Sequence, residues 1–359
     1  MSSKLWNIAG SITALYFFVS AIMLVKESAK AMGGFLTSYV VSVIRDTTSG
    51  AFAGWIGTAL VHSSGAFDSI VVTFTSTGIM PLSLGVATII GAELGTTVTP
   101  FLISILNQFR GRRGQSAAFN VTVSHVLYNL STFTLFFLLE IIFGVFTKIA
   151  LLGSTIFVKA PWLAAVPDLL DVITPWVPMV IAYLPPWICL IIGGVMLIGA
   201  LTGVEKYMTD IFSMPRSWNL IRATFTKPVR AFFAGLIFTM LVPSTTVMVS
   251  LLVPLASSGV ISAEYYILPY ILGANIGTVF DVMIAAMATG DPVAMGVWLV
   301  HLSINVIGAA IFMLILKPFS KIVRNVSERM SASPKLSLSI VIIFHLIPTS
   351  IILYYVFTR

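Results

Sequence analysis

The chain has 359 residues, of which 58% are hydrophobic and only 9% charged, with a formal net charge of +7. Water-soluble domains carry roughly 25% charged residues, so this composition excludes one and points to a protein that crosses a bilayer many times. The positive charge is not a nucleic-acid footprint, because the Lys and Arg fall in short loops between apolar runs, as the positive-inside rule requires. The single Cys189 excludes an internal disulfide framework.

The first apolar run, residues 5–25, is long enough to span a bilayer and too long for the apolar core of a signal peptide. Residues 50–78 follow as two apolar arms of about 12 residues, too short to cross a hydrocarbon core that needs about 20. They meet at His62-Ser63-Ser64-Gly65. This reads as a re-entrant hairpin that enters and leaves on one side, in preference to one kinked helix. Residues 81–107 form a span broken by Gly91 and Gly95, and residues 117–146 form another. Residues 151–186 are a Pro- and Trp-rich connection. A crossing at residues 187–203 leads to a second two-armed segment, 231–258, and a last span covers residues 336–357.

The chain also repeats itself. Phe52 to Ser64 aligns with Phe233 to Thr245 at an offset of 181 residues, sharing Phe, Ala, Gly, Ile, Thr, Leu, Val and Ser. The stretch GAELGT at Gly91 falls on GANIGT at Gly273, and a His-x-x-x-Asn element recurs at His125/Asn129 and His301/Asn305. Two homologous halves follow, residues 1–150 and 187–330. Three crossings separate the hairpins, and an odd number inverts the second half. The expected fold is an all-α polytopic membrane protein of two inverted-topology repeats, each with a re-entrant hairpin and a broken transmembrane helix. Loop charges place the N-terminus in the cytoplasm. Arg110, Arg112 and Arg113 mark one cytoplasmic loop, Lys206, Arg216, Arg222, Lys227 and Arg230 a second, and Lys317, Lys321, Arg324, Arg329 and Lys335 a third. Lys26, Lys30 and Arg45 fall outside against this trend.

A hairpin tip within the bilayer must be buried in protein or line a cavity, because its backbone groups have no water to satisfy them. The second arm of each hairpin begins at the tip, and a helix N-terminus attracts anions. His62, Ser63, Ser64 and Gly65 in half one, and Ser244, Thr245 and Thr246 behind Pro243 in half two, are therefore the candidate anion ligands. In the broken spans, Gly91, Gly95, Gly273 and Gly277 are expected to unwind the backbone and free carbonyls. With Thr96, Thr97, Asn275 and Thr278 these suit Na⁺. The alternative use of such glycines is close helix packing.

The chain resembles the type II sodium–phosphate cotransporter family over residues 5–316. In that family each half carries a Gln-Ser-Ser-Ser tip, a Gly-(Ala/Ser)-Asn-Ile-Gly-Thr motif and a later His. GANIGT and both His-x-x-x-Asn elements match. The resemblance implies Na⁺-coupled uptake of inorganic phosphate or a similar small anion across the cytoplasmic membrane, with no cofactor. The chain departs from the family where His62 and Pro243 replace the tip Gln, where Glu93 replaces the Asn of half one, and at Asp68 and Asp281. Carboxylates inside a membrane mark ion or proton pathways by default. Asp68 and Glu93 are therefore candidate coupling residues, for Na⁺ or H⁺, while His125, His301, Asn129 and Asn305 read as braces within spans. A membrane hydrolase using Ser63 or Ser64, His62 and Asp68 is the rival reading. Adjacent His62 and Ser63 fit it poorly, since neighbours in a helix do not face each other.

Overall fold

The computed structural model describes residues 2–109, 115–212, 224–259, 261 and 264–358, and every regular element among them is an α-helix. Arg110, Arg112, Arg113, Arg216 and Arg222, which the sequence assigns to cytoplasmic loops, lie outside the described residues. Seven described helices or helix pairs are long and apolar enough to cross a membrane, and the protein is an all-α polytopic membrane protein.

The first half comprises α1 (Ser2–Val43), α2 (Thr47–Val61), α3 (Ser64–Ser76), α4 (Leu82–Gly95), α5 (Val98–Phe109), α6 (Gln115–Phe143) and α7 (Val145–Phe157). Two shorter helices, α8 (Pro161–Ile173) and α9 (Trp176–Tyr183), fill the connection. The second half comprises α10 (Pro186–Phe212), α11 (Pro228–Leu241), α12 (Thr245–Ser257), α13 (Glu264–Gly277), α14 (Val279–Thr289), α15 (Pro292–Leu314) and α16 (Leu316–Ala332). The chain ends in α17 (Pro334–Phe357).

The packing exchanges the halves. Helix α2 packs on α4 as α11 packs on α13. Helix α3 crosses to α14 and α15 of the other half, and α12 crosses to α5 and α6. Helix α7 lies on α15 and α16 on α6, while α1 and α10 pack on each other. The turns obey the same relation. Gly78 after α3 and Gly259 after α12 both take φ 74°, a left-handed conformation in which Gly has no Cβ penalty. The following residues close the helix ends alike, Met80 N–H donating to Phe74 O (3.1 Å) and Ile261 N–H to Leu255 O (3.3 Å).

Glycine makes these contacts close. A Cβ on Gly54 meets the Thr88 carbonyl, one on Gly91 the Ala51 carbonyl, one on Gly235 the Tyr270 carbonyl and one on Gly273 the Phe232 carbonyl. The first arm of each hairpin thus lies backbone to backbone against the following span, the small-residue packing typical of membrane helices. This corrects the expectation of unwound backbone at the paired glycines. Helix α4 runs unbroken through Gly91 to Gly95, and α13 through Gly273 to Gly277. The interruption is one turn, at Thr96–Thr97 and at Thr278.

Two further differences concern the flanks. The first helix does not stop near residue 25 but continues to Val43, with a kink at Gly33 (φ 31°, ψ −112°) and Lys26 buried in its middle. Arg45, beyond its end, donates from Nη2 to Tyr355 O (2.8 Å), and Tyr355 Oη donates to Asp46 Oδ2 (2.6 Å). The last helix is thereby tied to the entry of the first hairpin, and Trp55 of α2 meets Phe344 of α17 with ring centroids 4.7 Å apart.

Candidate functional site

Two helices, α3 and α12, begin at the hairpin tips. In half one the turn consists of His62 and Ser63 alone. His62 sits at φ 60°, the one positive-φ non-glycine among the described residues, and its N–H donates to Thr58 O (2.9 Å) to close α2. Ser63 is extended and caps α3, its Oγ accepting from Ala66 N–H at 3.3 Å. In half two Pro243, which has no N–H and cannot continue a helix, enforces the break. Ser244 caps α12 in the same way, accepting from Val247 N–H at 3.2 Å. Ser64 and Gly65, like Thr245 and Thr246, lie buried in the first turn behind these caps. The leading N–H groups of such turns have no intrahelical partner.

The tips are held differently. His62 is exposed, and its Nδ1 lies 2.8 Å from Thr99 Oγ1 on α5. Gly65 lies directly against the Asp281 carboxylate of α14, which a Cβ at Gly65 would strike. At tip two, Thr245 Oγ1 donates to Ala274 O (3.2 Å), and Ser244 lies beside Glu205 of α10. Glu205, the last residue of a stretch that aligns loosely with Trp6 to Glu27, is not among the candidate ligands. Thr99 and Asp281 occupy equivalent repeat positions, so the same place on the scaffold is a hydroxyl in one half and a carboxylate in the other.

Deeper in the protein the halves interlock through their motif residues. Glu93 of α4 reaches α15, where its Oε1 lies 2.6 Å from His301 Nε2 and accepts from Asn305 Nδ2 at 3.0 Å. Its repeat mate Asn275 of α13 reaches α6, donating from Nδ2 to Asn129 Oδ1 (3.3 Å) beside His125 and Tyr128. The two His-x-x-x-Asn elements therefore do more than brace their own helices. Each receives the central polar residue of the opposite half. Asp68 of α3 joins the first arrangement. It is fully buried, with Oδ2 3.9 Å from His301 Nε2, and neither of its oxygens has a hydrogen-bond partner.

The remaining candidates at the helix breaks are buried too. Thr96 Oγ1 donates to Ala92 O (3.1 Å) and Thr97 Oγ1 to Leu94 O (2.8 Å), whereas Thr278 Oγ1 is buried without a partner. Gly91, Gly95, Gly273 and Gly277 all face the hairpin arms closely enough to exclude a Cβ, so their place in the fold is packing. A hydrolytic triad does not assemble, since His62 turns to Thr99 while Asp68 faces Glu93 and His301.

The sequence matches the profile of the Na+/Pi-cotransporter family over residues 16–158 and 196–341. Similar proteins include the sodium-dependent phosphate transport protein 2A of Mus musculus, 25% identical over 132 residues, which are 36% of this chain and 21% of that protein. The 2A protein of Oryctolagus cuniculus is 26% identical over 121 residues, 33% of this chain and 19% of its own length. The sodium-dependent phosphate transport protein 2B of Homo sapiens is 27% identical over 118 residues, 32% of this chain and 17% of its own length. The chain thus spans about a fifth of the length of these relatives. No solved structure matches it significantly.

Proposed function

This chain belongs to the Na+/Pi-cotransporter family, a family of transporters and not of enzymes, and on that premise we propose that it is a secondary active symporter moving inorganic phosphate with Na⁺ across the cytoplasmic membrane by alternating access. The observation that carries the reading is the pair of helix N-termini at the hairpin tips, each behind a serine cap and each placed by the same exchange of halves. Free N–H groups and the hydroxyls of Ser63, Ser64, Ser244, Thr245 and Thr246 suit a tetrahedral oxyanion, whereas the space at Gly65 is taken by the Asp281 carboxylate. His62 supplies one further donor at the mouth of tip one.

Na⁺ belongs at the helix breaks in this reading, with the hydroxyls of Thr96, Thr97 and Thr278, the Asn275 amide and the last-turn carbonyls around Gly95 and Gly277. Asp68, Glu93 and Asp281 supply the negative charge that a coupling cation offsets when the anion enters. The inverted arrangement is supported by the helices between the hairpins. Helices α7 and α8 are 13 residues each and meet at 80°, too short to cross singly. The repeat mate of α7 is α16, an amphipathic helix with Lys317, Lys321, Arg324 and Arg329, fitted to the membrane surface. Three crossings then separate the hairpins, and the loop charges put the N-terminus in the cytoplasm.

A second reading, symport coupled in part to H⁺, is favoured by the contact between Glu93 and His301, two groups able to share a proton. Proteoliposomes given labelled phosphate, with Na⁺ and pH gradients imposed separately, test both. An inward Na⁺ gradient should drive concentrative uptake. No accumulation under either gradient would refute the proposal.

A further inference from the structure

We infer that Asp68, Glu93 and His301 form a binding site for a divalent metal ion of the Zn²⁺, Co²⁺ and Mn²⁺ class. The three residues come from α3, α4 and α15, and one ligand atom from each lies within 4.8 Å of the other two. All three are buried, at 0%, 9% and 0% exposure. Both Asp68 oxygens and His301 Nε2 lack a hydrogen-bond partner, although Nε2 is 2.6 Å from Glu93 and 3.9 Å from Asp68. Buried polar atoms almost always find a partner. Here the unmet atoms face one another, as donors around an ion do.

The chemistry selects the ion. Metal ligands bind deprotonated, so two carboxylates and an imidazole offer an ion a charge of −2. One Na⁺ leaves half of that charge, and a hard cation prefers oxygen to an imidazole nitrogen. A divalent ion of intermediate softness balances the charge and accepts both donor types. Ligand distances of about 2.0–2.2 Å place donors roughly 3–4 Å apart. The Asp68–His301 separation already fits, and the Glu93–His301 contact must open by less than about an ångström. Asn305 orients Glu93 from behind, a second-layer contact of the kind metal ligands have. The other half cannot do this: Val249, Asn275 and His125 stand at the three equivalent positions, with no carboxylate.

A metal here pins hairpin one to α4 and to α15 of the opposite half, so it should arrest any movement between them. The site itself does not depend on the substrate. The test is the full chain in detergent and phosphate-free buffer, titrated with Co²⁺ by absorption and with Zn²⁺ by calorimetry. One equivalent should bind, and His301→Gln and Asp68→Asn should each weaken it more than about ten-fold, whereas His125→Gln should not. X-ray absorption of the Zn²⁺-loaded wild type guards against variants that fail to fold. One imidazole nitrogen among oxygens is expected. Absence of stoichiometric binding, unchanged affinity in both variants, or an all-oxygen shell would overturn the site. Phosphate uptake with chelator present stands or falls separately.

Discussion

Glu93→Gln separates the charge of the crossed contact from its shape. The carboxylate lies 2.6 Å from His301 Nε2 and accepts from Asn305 at 3.0 Å. Gln keeps the volume and an acceptor oxygen for Asn305. A hydrogen bond to a charged group is worth about 1.5–3 kcal/mol and a neutral one about 0.5–1.5, so the substitution should cost roughly 1–1.5 kcal/mol of stability. Glu93→Ala leaves the Asn305 amide without that acceptor and opens a cavity where the buried side chain stood, together roughly 2–6 kcal/mol. Thermal unfolding in detergent should therefore rank wild type, Gln and Ala in that order, with the larger step at Ala. Function should divide otherwise. Glu93→Gln restores an amide where half two has Asn275, so phosphate should still bind. Uptake should lose its response to one gradient, Na⁺ or pH, because one neutralising cation is no longer required. Uptake by Glu93→Gln with wild-type responses to both gradients would remove Glu93 from coupling and leave it a structural residue.

Three other outcomes follow from the geometry. Gly54→Ala and Gly235→Ala drive a Cβ into the carbonyls of Thr88 and Tyr270 and should each cost about 1–3 kcal/mol of stability, whereas Gly34→Ala, with open space around it, should leave the unfolding temperature unchanged. With Cys189→Ser as background, Ser63→Cys and Ser244→Cys should be joined by a thiol cross-linker spanning about 15 Å, since arms of ~12 residues rising 1.5 Å each reach roughly mid-bilayer from either side; failure of every linker of that length would place the tips apart. Asn275→Ala should weaken the Na⁺ dependence of uptake more than it lowers expression, and an unchanged Na⁺ affinity would remove Asn275 from the cation site.

The breaks between α2 and α3 and between α11 and α12 were legible because their determinants are local. Short apolar arms, a Ser before each second arm, and Pro243 or His62 at the break specify the turns with no knowledge of the rest of the chain. The repeat was legible for the same reason, as an offset between ordered motifs. What Glu93 meets was not: Asn305 is 212 residues away, and only the docking of α4 on the opposite half brings the two together. His301 and Asn305 therefore read as braces when each was seen only in its own helix. The pairing of the repeat motifs did hold the signal, since both central residues had to face something and both halves carried a His-x-x-x-Asn. The glycines misled in a different way. Unwinding and close packing call for the same residue, and the decision lies in whether another backbone arrives, as Ala51 does at Gly91 and Phe232 at Gly273.

The halves share a scaffold but not their charge. Around α3 stand Asp68 on the helix itself, Glu93 within reach of it through His301, and Asp281 against Gly65 in its first turn. The equivalent places around α12 carry Val249, Asn275 and Thr99. Under the proposed function, an oxyanion seated at tip one therefore approaches carboxylate charge as well as the positive end of a helix. The helix end contributes only about half a charge, and fades within a turn. Attraction wins only once a cation has reduced the carboxylate charge, and that cation binds more tightly once the anion has arrived. Such a coupling is reciprocal by thermodynamic necessity, each ligand raising the affinity of the other by the same factor. An acid-rich wall beside an anion site, which in a simple binding protein would only weaken the ligand, is in a symporter what makes the two cargoes require each other.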